Sequence, residues 1–177
     1  MTKIHLISED FIKTNSGLND NVWGSYLTPA IREAQDINLQ KIMGSSLYKS
    51  LLEKVENGAI RNADFKPYKT LLDEYVQIYL MYQTISNLVP IIGVKLTNLG
   101  AVVSNDEHLT NLSQSERDLV QTYYAQRAEF YGKRLQDFLN DNSNDFSELK
   151  DCGVNQINPN LNTVADTGLW LGGVRGK

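Results

Sequence analysis

The chain offers few groups that could do chemistry. Asp106-Glu107-His108 sets three potential metal ligands side by side. A metal site needs three or four donors converging on one point, and no further ligand stands near this triplet, so the run reads as an exposed polar loop. Glu9-Asp10 is a carboxylate pair, yet Lys3 to Ser8 suggests a short strand, where adjacent residues point to opposite faces and cannot share a substrate. Cys152, the single cysteine, stands in an Asn- and Asp-rich stretch with only Lys150 as a nearby cation, and reads as an inert thiol. Tyr75, Tyr79 and Tyr82, preceded by Tyr68, form an aromatic stripe that would suit base stacking if a basic groove accompanied it. Residues 68–112 carry two basic and four acidic side chains, so the stripe reads as core instead.

The wider catalytic signatures are missing as well. There is no Gly-x-Gly-x-x-Gly, no phosphate loop, no His-Glu-x-x-His and no Cys-x-x-Cys. One cysteine allows no intrachain disulfide, and His5 and His108 lie far apart. No catalytic residue, metal or cofactor is assigned, and the chain reads as a non-enzyme. Were an unrecognised pocket present, Gln35, Tyr75 and Tyr79 would be its polar candidates.

Lys plus Arg is 17 and Asp plus Glu is 21, a net charge of −4, which argues against a dedicated nucleic-acid binder. Hydrophobic residues are 41% and charged residues 21%, as in a soluble globular domain. The start has too short an apolar run for a signal peptide. Pro90 and Gly93 interrupt Leu88 to Val94, well short of the ~20 residues a membrane helix needs. The expectation is a soluble chain made in a cytoplasm, without membrane contact.

The elements that must position these residues are helices. Residues 1–24 look irregular, with loop chemistry from Thr14 to Asn21. Thr28-Pro29 suits a helix start, and Leu27, Ala30, Ile31, Ala34 and Ile42 fall in one arc that also contains Gln35. Gly44 ends that helix, Ser45 or Ser46 caps the next, and Asn57-Gly58 stops it, which makes a helical hairpin. A third helix runs from about Pro67 to Leu88, apolar nearly all round and hence central. Val94 to Val103 reads as a short strand or hairpin, and Asn105 to Leu112 as a loop.

Ser113-Gln-Ser-Glu116 is a capping box opening a fourth helix to about Asp141, with Val120, Tyr124, Ala128, Tyr131, Leu135 and Phe138 inward. Arg117, Gln121, Lys133, Arg134 and Asp137 form its solvated face. The fold expected is mainly α: a bundle of about four helices with a small β-hairpin excursion and an extended C-terminal arm. Residues 1–141 would be the helical domain and 142–177 the arm.

Two features point to contacts. Gln35 inside an apolar arc must find partners, either backbone at the helix hairpin or a group across a subunit interface. Gly168-Leu-Trp-Leu-Gly-Gly173, followed by Val174, is too apolar for a solubilising tail. Leu169, Trp170, Leu171 and Val174 must dock on their own core or anchor on a neighbour, and tryptophan favours the anchor.

The run Ala30-Ile31-Arg-Glu-Ala34-Gln35-Asp-Ile-Asn-Leu39-Gln-Lys-Ile42-Met43-Gly44, with Ser46-Leu47-Tyr48 and Leu51-Leu52 after it, resembles a known pattern. It is similar to the opening helical hairpin of head–tail connector (adaptor or ring) proteins of tailed bacteriophages, in the form found in phages of Bacteroidetes, including the crAss-like group. The later helices, the β excursion and the Gly-Leu-Trp-Leu-Gly-Gly run extend the resemblance over most of residues 25–177. It implies a non-enzymatic virion protein forming a ring, typically dodecameric, at the portal vertex. The implied partners are copies of itself, the portal protein and a downstream tail or second ring protein. Genomic DNA would pass through the lumen without sequence-specific binding. The implied location is the head–tail junction of the virion, with the host cytoplasm as the place of assembly. The alternative expectation is a non-enzymatic helical protein-binding module of a bacterial cytoplasm.

Overall fold

The computed structural model describes residues 4–18, 24–92, 94–97, 100–103, 113–151 and 156–161, the two short strands by their backbone alone. The described fold is mainly α. It begins with a helix where irregular chain was expected: α1 spans Glu9–Asn15, and the Ser8 hydroxyl accepts the amide of Phe11 at 3.1 Å as its N-cap. Glu9 and Asp10 are therefore first-turn residues that favour the positive end of the helix, not alternating strand positions. Leu6 and Ile7 are both buried, which no half-exposed strand allows, and Ile12 joins them in the core.

The next helix starts earlier than Thr28. α2 covers Gly24–Glu33 with Pro29 inside it, and the Thr28 hydroxyl donates to Glu9 Oε1 at 2.9 Å instead of capping. A π-helical turn, Ala34–Leu39, then carries the rod into α3, Gln40–Met43. A wide turn shifts the register of the buried face. Leu39 and Met43, which fall outside the arc of Leu27 and Ile31 on a regular helix, become fully buried, while Ile42 is only partly covered.

Gly44 breaks the rod at φ 77° and ψ 162°, and α4, Ser45–Glu56, follows at once. Neither Ser45 nor Ser46 serves as a side-chain cap, because Gly44 occupies the N-cap position. Asn57 and Gly58, the latter at φ 72°, close α4, and the Asn57 side chain accepts the Ala59 amide.

α5, Lys66–Thr70, a second π-helical turn at Leu71–Val76 and α6, Gln77–Leu88, make the continuous central helix. It packs against α2 on one side and against the long α7, Gln114–Asp141, on the other. Leu71, Val76, Leu80 and Leu88 are sealed between them. Between α6 and α7, the backbone of β1, Val94–Thr97, pairs antiparallel with β2, Gly100–Val103, setting Val94 opposite Val103.

The capping box of α7 forms in both directions: the Ser113 amide donates to Glu116 Oε2 at 2.8 Å, and the Glu116 amide donates to Ser113 Oγ at 3.3 Å. Ala128, Gly132, Leu135 and Leu139 are the buried face. Val120, expected inward, is 37% exposed. Gly132 lets the helices approach: a Cβ there would lie 3.1 Å from the Tyr79 ring.

The chain after α7 does not leave the domain at residue 142. Phe146 is fully buried, 5.1 Å from the Tyr68 ring and 6.1 Å from Phe138, each edge-on, and a 3-10 turn at Ser147–Lys150 buries Leu149. Residues 142–151 and 156–161 thus pack against the helices, the first through Phe146 and Leu149 and the second as a strap. The physical cause is one aromatic side chain whose burial is worth roughly 3 kcal/mol. Asn105 to Leu112, with Asp106, Glu107 and His108, lies outside the described residues, as do Cys152 and residues 162–177.

Candidate interaction surfaces

Gln35 is the best-connected polar group in the core. It is 1% exposed; its Oε1 accepts the Leu6 amide at 2.9 Å, and its Nε2 donates to the Ile4 carbonyl at 3.0 Å and to the Tyr48 hydroxyl at 3.1 Å. Tyr48 in turn donates to Asp36 Oδ1 at 2.7 Å. Burial, then the bond to Asp36, holds the Tyr48 phenol well above its ordinary range, so it remains a donor. The amide therefore ties the segment before α1 to the helical hairpin. Of the two roles expected of Gln35, the bonds described are those of the first, to backbone and side chains inside the chain.

A second cluster fixes the stretch after α7. Glu148 Oε1 lies 2.5 Å from Ser50 Oγ, both its oxygens lie within 2.8 Å of the Tyr68 hydroxyl, and Lys54 Nζ stands 3.6 Å away. Lys54 also donates to Ser50 and sits 4.2 Å above the Tyr68 ring. Burial pushes the Glu148 carboxyl up, but the bonds from Ser50 and Tyr68 and the charge of Lys54 outweigh it, and the group titrates below its ordinary value. A serine beside a lysine can suggest a nucleophile. Here Lys54 pairs with a carboxylate and the Ser50 hydroxyl has that carboxylate as acceptor, so neither is free to act as base or nucleophile.

The strap of residues 156–161 crosses the joint between α3 and α4. The Ser45 amide donates to the Ile157 carbonyl at 2.8 Å, the Ile157 amide to Ser45 Oγ at 3.0 Å, and the Asn160 amide to the Lys41 carbonyl at 3.2 Å. Gln136 and Asn140 on α7 then hold the carbonyls of Asn160 and Leu161 at 2.7 and 2.9 Å.

Tyr75 and Tyr79 do not converge on Gln35. Tyr75 stacks on Phe138 at 4.2 Å, and Tyr79 is buried against Gly132. Tyr79 lines a cleft of about 360 Å³ between α3, α6 and α7, together with Ala125, Ala128 and Gly132 and the polar Gln83, Glu129 and Lys133. Burial alone drives the Tyr79 phenol upward, so it stays neutral. Among the described residues no group of three His, Cys, Asp or Glu side chains could hold a metal ion, and no helix is long and apolar enough to cross a membrane. Leu169, Trp170, Leu171 and Val174 lie outside the described residues.

The surface that sequence reasoning missed is the outer side of α7. Leu119 is 70% exposed, Phe130 61% and Tyr123 48%. At 100° per residue the three fall within about 40° of each other, roughly opposite Ala128, Leu135 and Leu139. Arg127 lies 3.4 Å over the Tyr123 ring, and Arg134 stands 5.7 Å from both Tyr75 and Tyr131. The spacing of Leu119, Tyr123 and Phe130 was the available signal, hidden by the stronger stripe on the inner face.

Residues 39–159 match a family of unknown function, DUF6712, and since this is more than half of the 177-residue chain, the protein belongs to that family. The matched stretch takes in the Gly44 joint and residues 156–159 of the strap that crosses it. No curated protein and no solved structure matches the chain.

Proposed function

We propose that this DUF6712 protein is a structural subunit of the phage portal vertex, a mainly α-helical chain that assembles with copies of itself into a ring joining head to tail. The observation that carries the reading is the outer face of α7, where three large apolar side chains stand exposed on a helix whose inner face is already packed. Exposed apolar stripes of this kind mark surfaces that a partner covers. The resemblance of Ala30 to Leu52 to the opening hairpin of head–tail connectors supports the identity of that partner as a neighbouring subunit. The net charge of −4 suits a channel through which DNA passes without being held.

The finer architecture belongs to the same proposal. The Val94 to Val103 excursion is a projection from the helical body, and the chain beyond the strap is an arm whose Leu169, Trp170, Leu171 and Val174 meet a neighbouring subunit or the portal. The test is to count this chain against the portal protein in purified virions by quantitative mass spectrometry. A ratio near unity supports a ring matched to the portal. Absence from particles removes the connector reading and leaves the helical protein-binding module of a bacterial cytoplasm, for which the same α7 face would be the docking surface. Deleting residues 165–177 is expected to leave the subunit folded and to abolish assembly.

A further inference from the structure

We infer that residues 156–161 are a latch: they release from the α3–α4 joint as one unit while the helical core stays folded, and the anchor of the C-terminal segment then moves from Leu161 back to Leu149. The inference does not depend on the ring-subunit reading. It rests first on how unequally the two stretches after α7 are held. Residues 142–151 are fixed by the fully buried Phe146, by Leu149 and by the Glu148 cluster. Residues 156–161 are fixed by polar bonds. Ile157 is 46% exposed, Gln156, Asn158 and Asn160 are exposed as well, and only Pro159 and Leu161 are half-buried. The net worth of one hydrogen bond is of the same order as the entropy lost in fixing one residue. A strap without a sealed apolar side chain therefore lies at the low end of local stability.

Second, the side chains of the seat stay satisfied when the strap leaves. Ser45 Oγ, which accepts the Ile157 amide, also accepts the Gln40 side-chain amide at 3.0 Å. Ser46 Oγ lies 2.7 Å from both Asp151 Oδ2 and Gln156 Oε1; its one proton serves one of them at a time, so release leaves it Asp151. Gln136 and Asn140 hold the carbonyls of Asn160 and Leu161 at the surface, where water replaces them. Opening strands no buried side-chain donor or acceptor of the seat, which is the cost that locks polar segments in place.

Third, the seat is shaped for backbone. Gly44 presents no side chain to the strap: a Cβ there would lie 2.7 Å from Pro159 Cδ and 3.1 Å from the Ile157 carbonyl. Ser45 and Ile157 exchange bonds in both directions and the Asn160 amide donates to Lys41, so the strap seats in one register and returns to it. Once it is released, the chain beyond residue 161 gains the span of the residues back to Leu149, up to about 40 Å. The latch thus sets how far that segment reaches from the helical body.

The experiment is native-state hydrogen exchange on the full-length protein, read by NMR at the amides of Ser45, Ile157 and Asn160 and, for the core, at Leu80 and Leu135. The first three are donors on both sides of the contact. Their protection factors are expected to agree within about threefold, to lie at least about 100-fold below those of Leu80 and Leu135, and to be insensitive to low denaturant. The double variant Gln136→Ala, Asn140→Ala is expected to speed exchange at all three by about 25-fold, about fivefold for each bond, with Leu80 and Leu135 unchanged. Latch amides that exchange with the core and share its denaturant dependence overturn the inference, as does a double variant that speeds the core equally. Amides without protection overturn it too, because the strap would not be seated. Three unequal rates would mean fraying from one end instead of release as a unit, and would equally end it.

Discussion

The Gln35 side chain holds the Leu6 amide across 29 residues of sequence, at 2.9 Å and out of contact with water. Its other end reaches the Ile4 carbonyl and the Tyr48 hydroxyl, so one amide joins the N-terminal segment, the α2 rod and α4. Replacing it with leucine keeps the volume but leaves the Leu6 amide and Ile4 carbonyl unpaired. The expected loss is about 1–3 kcal/mol of stability. Hydrogen exchange at Leu6 and Ile7 should accelerate in Gln35→Leu before the rest of the core opens. Unchanged exchange there would show that the amide does not anchor the segment.

Glu148 predicts a pH dependence. Its carboxyl titrates below the ordinary 4.5 in the folded chain, so the unfolded chain binds the proton more tightly. Stability from this group is complete above about pH 4.5 and is lost as the pH falls through the lower folded value. Glu148→Gln should cost about 1.5–3 kcal/mol near neutrality, the scale of a charge-assisted hydrogen bond. The gap between variant and wild type should close in acid, which denaturant titrations across pH 3 to 7 would read. A gap independent of pH would mean that the carboxylate charge contributes nothing.

Gly44 is a backbone requirement and a steric one. At φ 77° and ψ 162° it occupies a region open essentially to glycine, and an added Cβ would lie 2.7 Å from Pro159 Cδ and 3.1 Å from the Ile157 carbonyl. Gly44→Ala should destabilise by about 1–3 kcal/mol. The Ser45 amide, which donates to Ile157, should lose its exchange protection first.

Thr84 on α6 is fully buried, and its hydroxyl has no hydrogen-bond partner among the described residues. Valine has nearly the same shape without the polar atom. Thr84→Val should therefore be neutral or stabilising by about 1 kcal/mol, because an unsatisfied hydroxyl is removed rather than a bond. A large loss in thermal denaturation would show that Thr84 has a partner in the working protein.

Phe146 tests where the domain ends. Truncation to alanine should cost about 3–5 kcal/mol, as for a phenylalanine in any core. Deletion of residues 165–177 should leave the melting temperature of the same protein nearly unchanged.

Local chemistry made part of this structure legible before any fold was known. Ser113 and Glu116 start α7 because both partners of the capping box lie within four residues. Gly44 and Asn57-Gly58 stop helices for equally local reasons, and Pro67 begins one. The tertiary structure alone decided what each helix face meets. The π-helical turns at Ala34–Leu39 and Leu71–Val76 rotate the buried stripe and leave no mark in a regular periodicity. Tyr68 finds Glu148 across 80 residues, and Ser50 finds it across 98, in a segment whose Asn- and Asp-rich composition suggested an arm. The candidate docking face shows the same division. Two apolar stripes were written into α7, one through Ala128 and Leu135 and one through Leu119, Tyr123 and Phe130. Periodicity places each on one side of a helix, but only packing against α6 determines which side is filled and which is left for a partner.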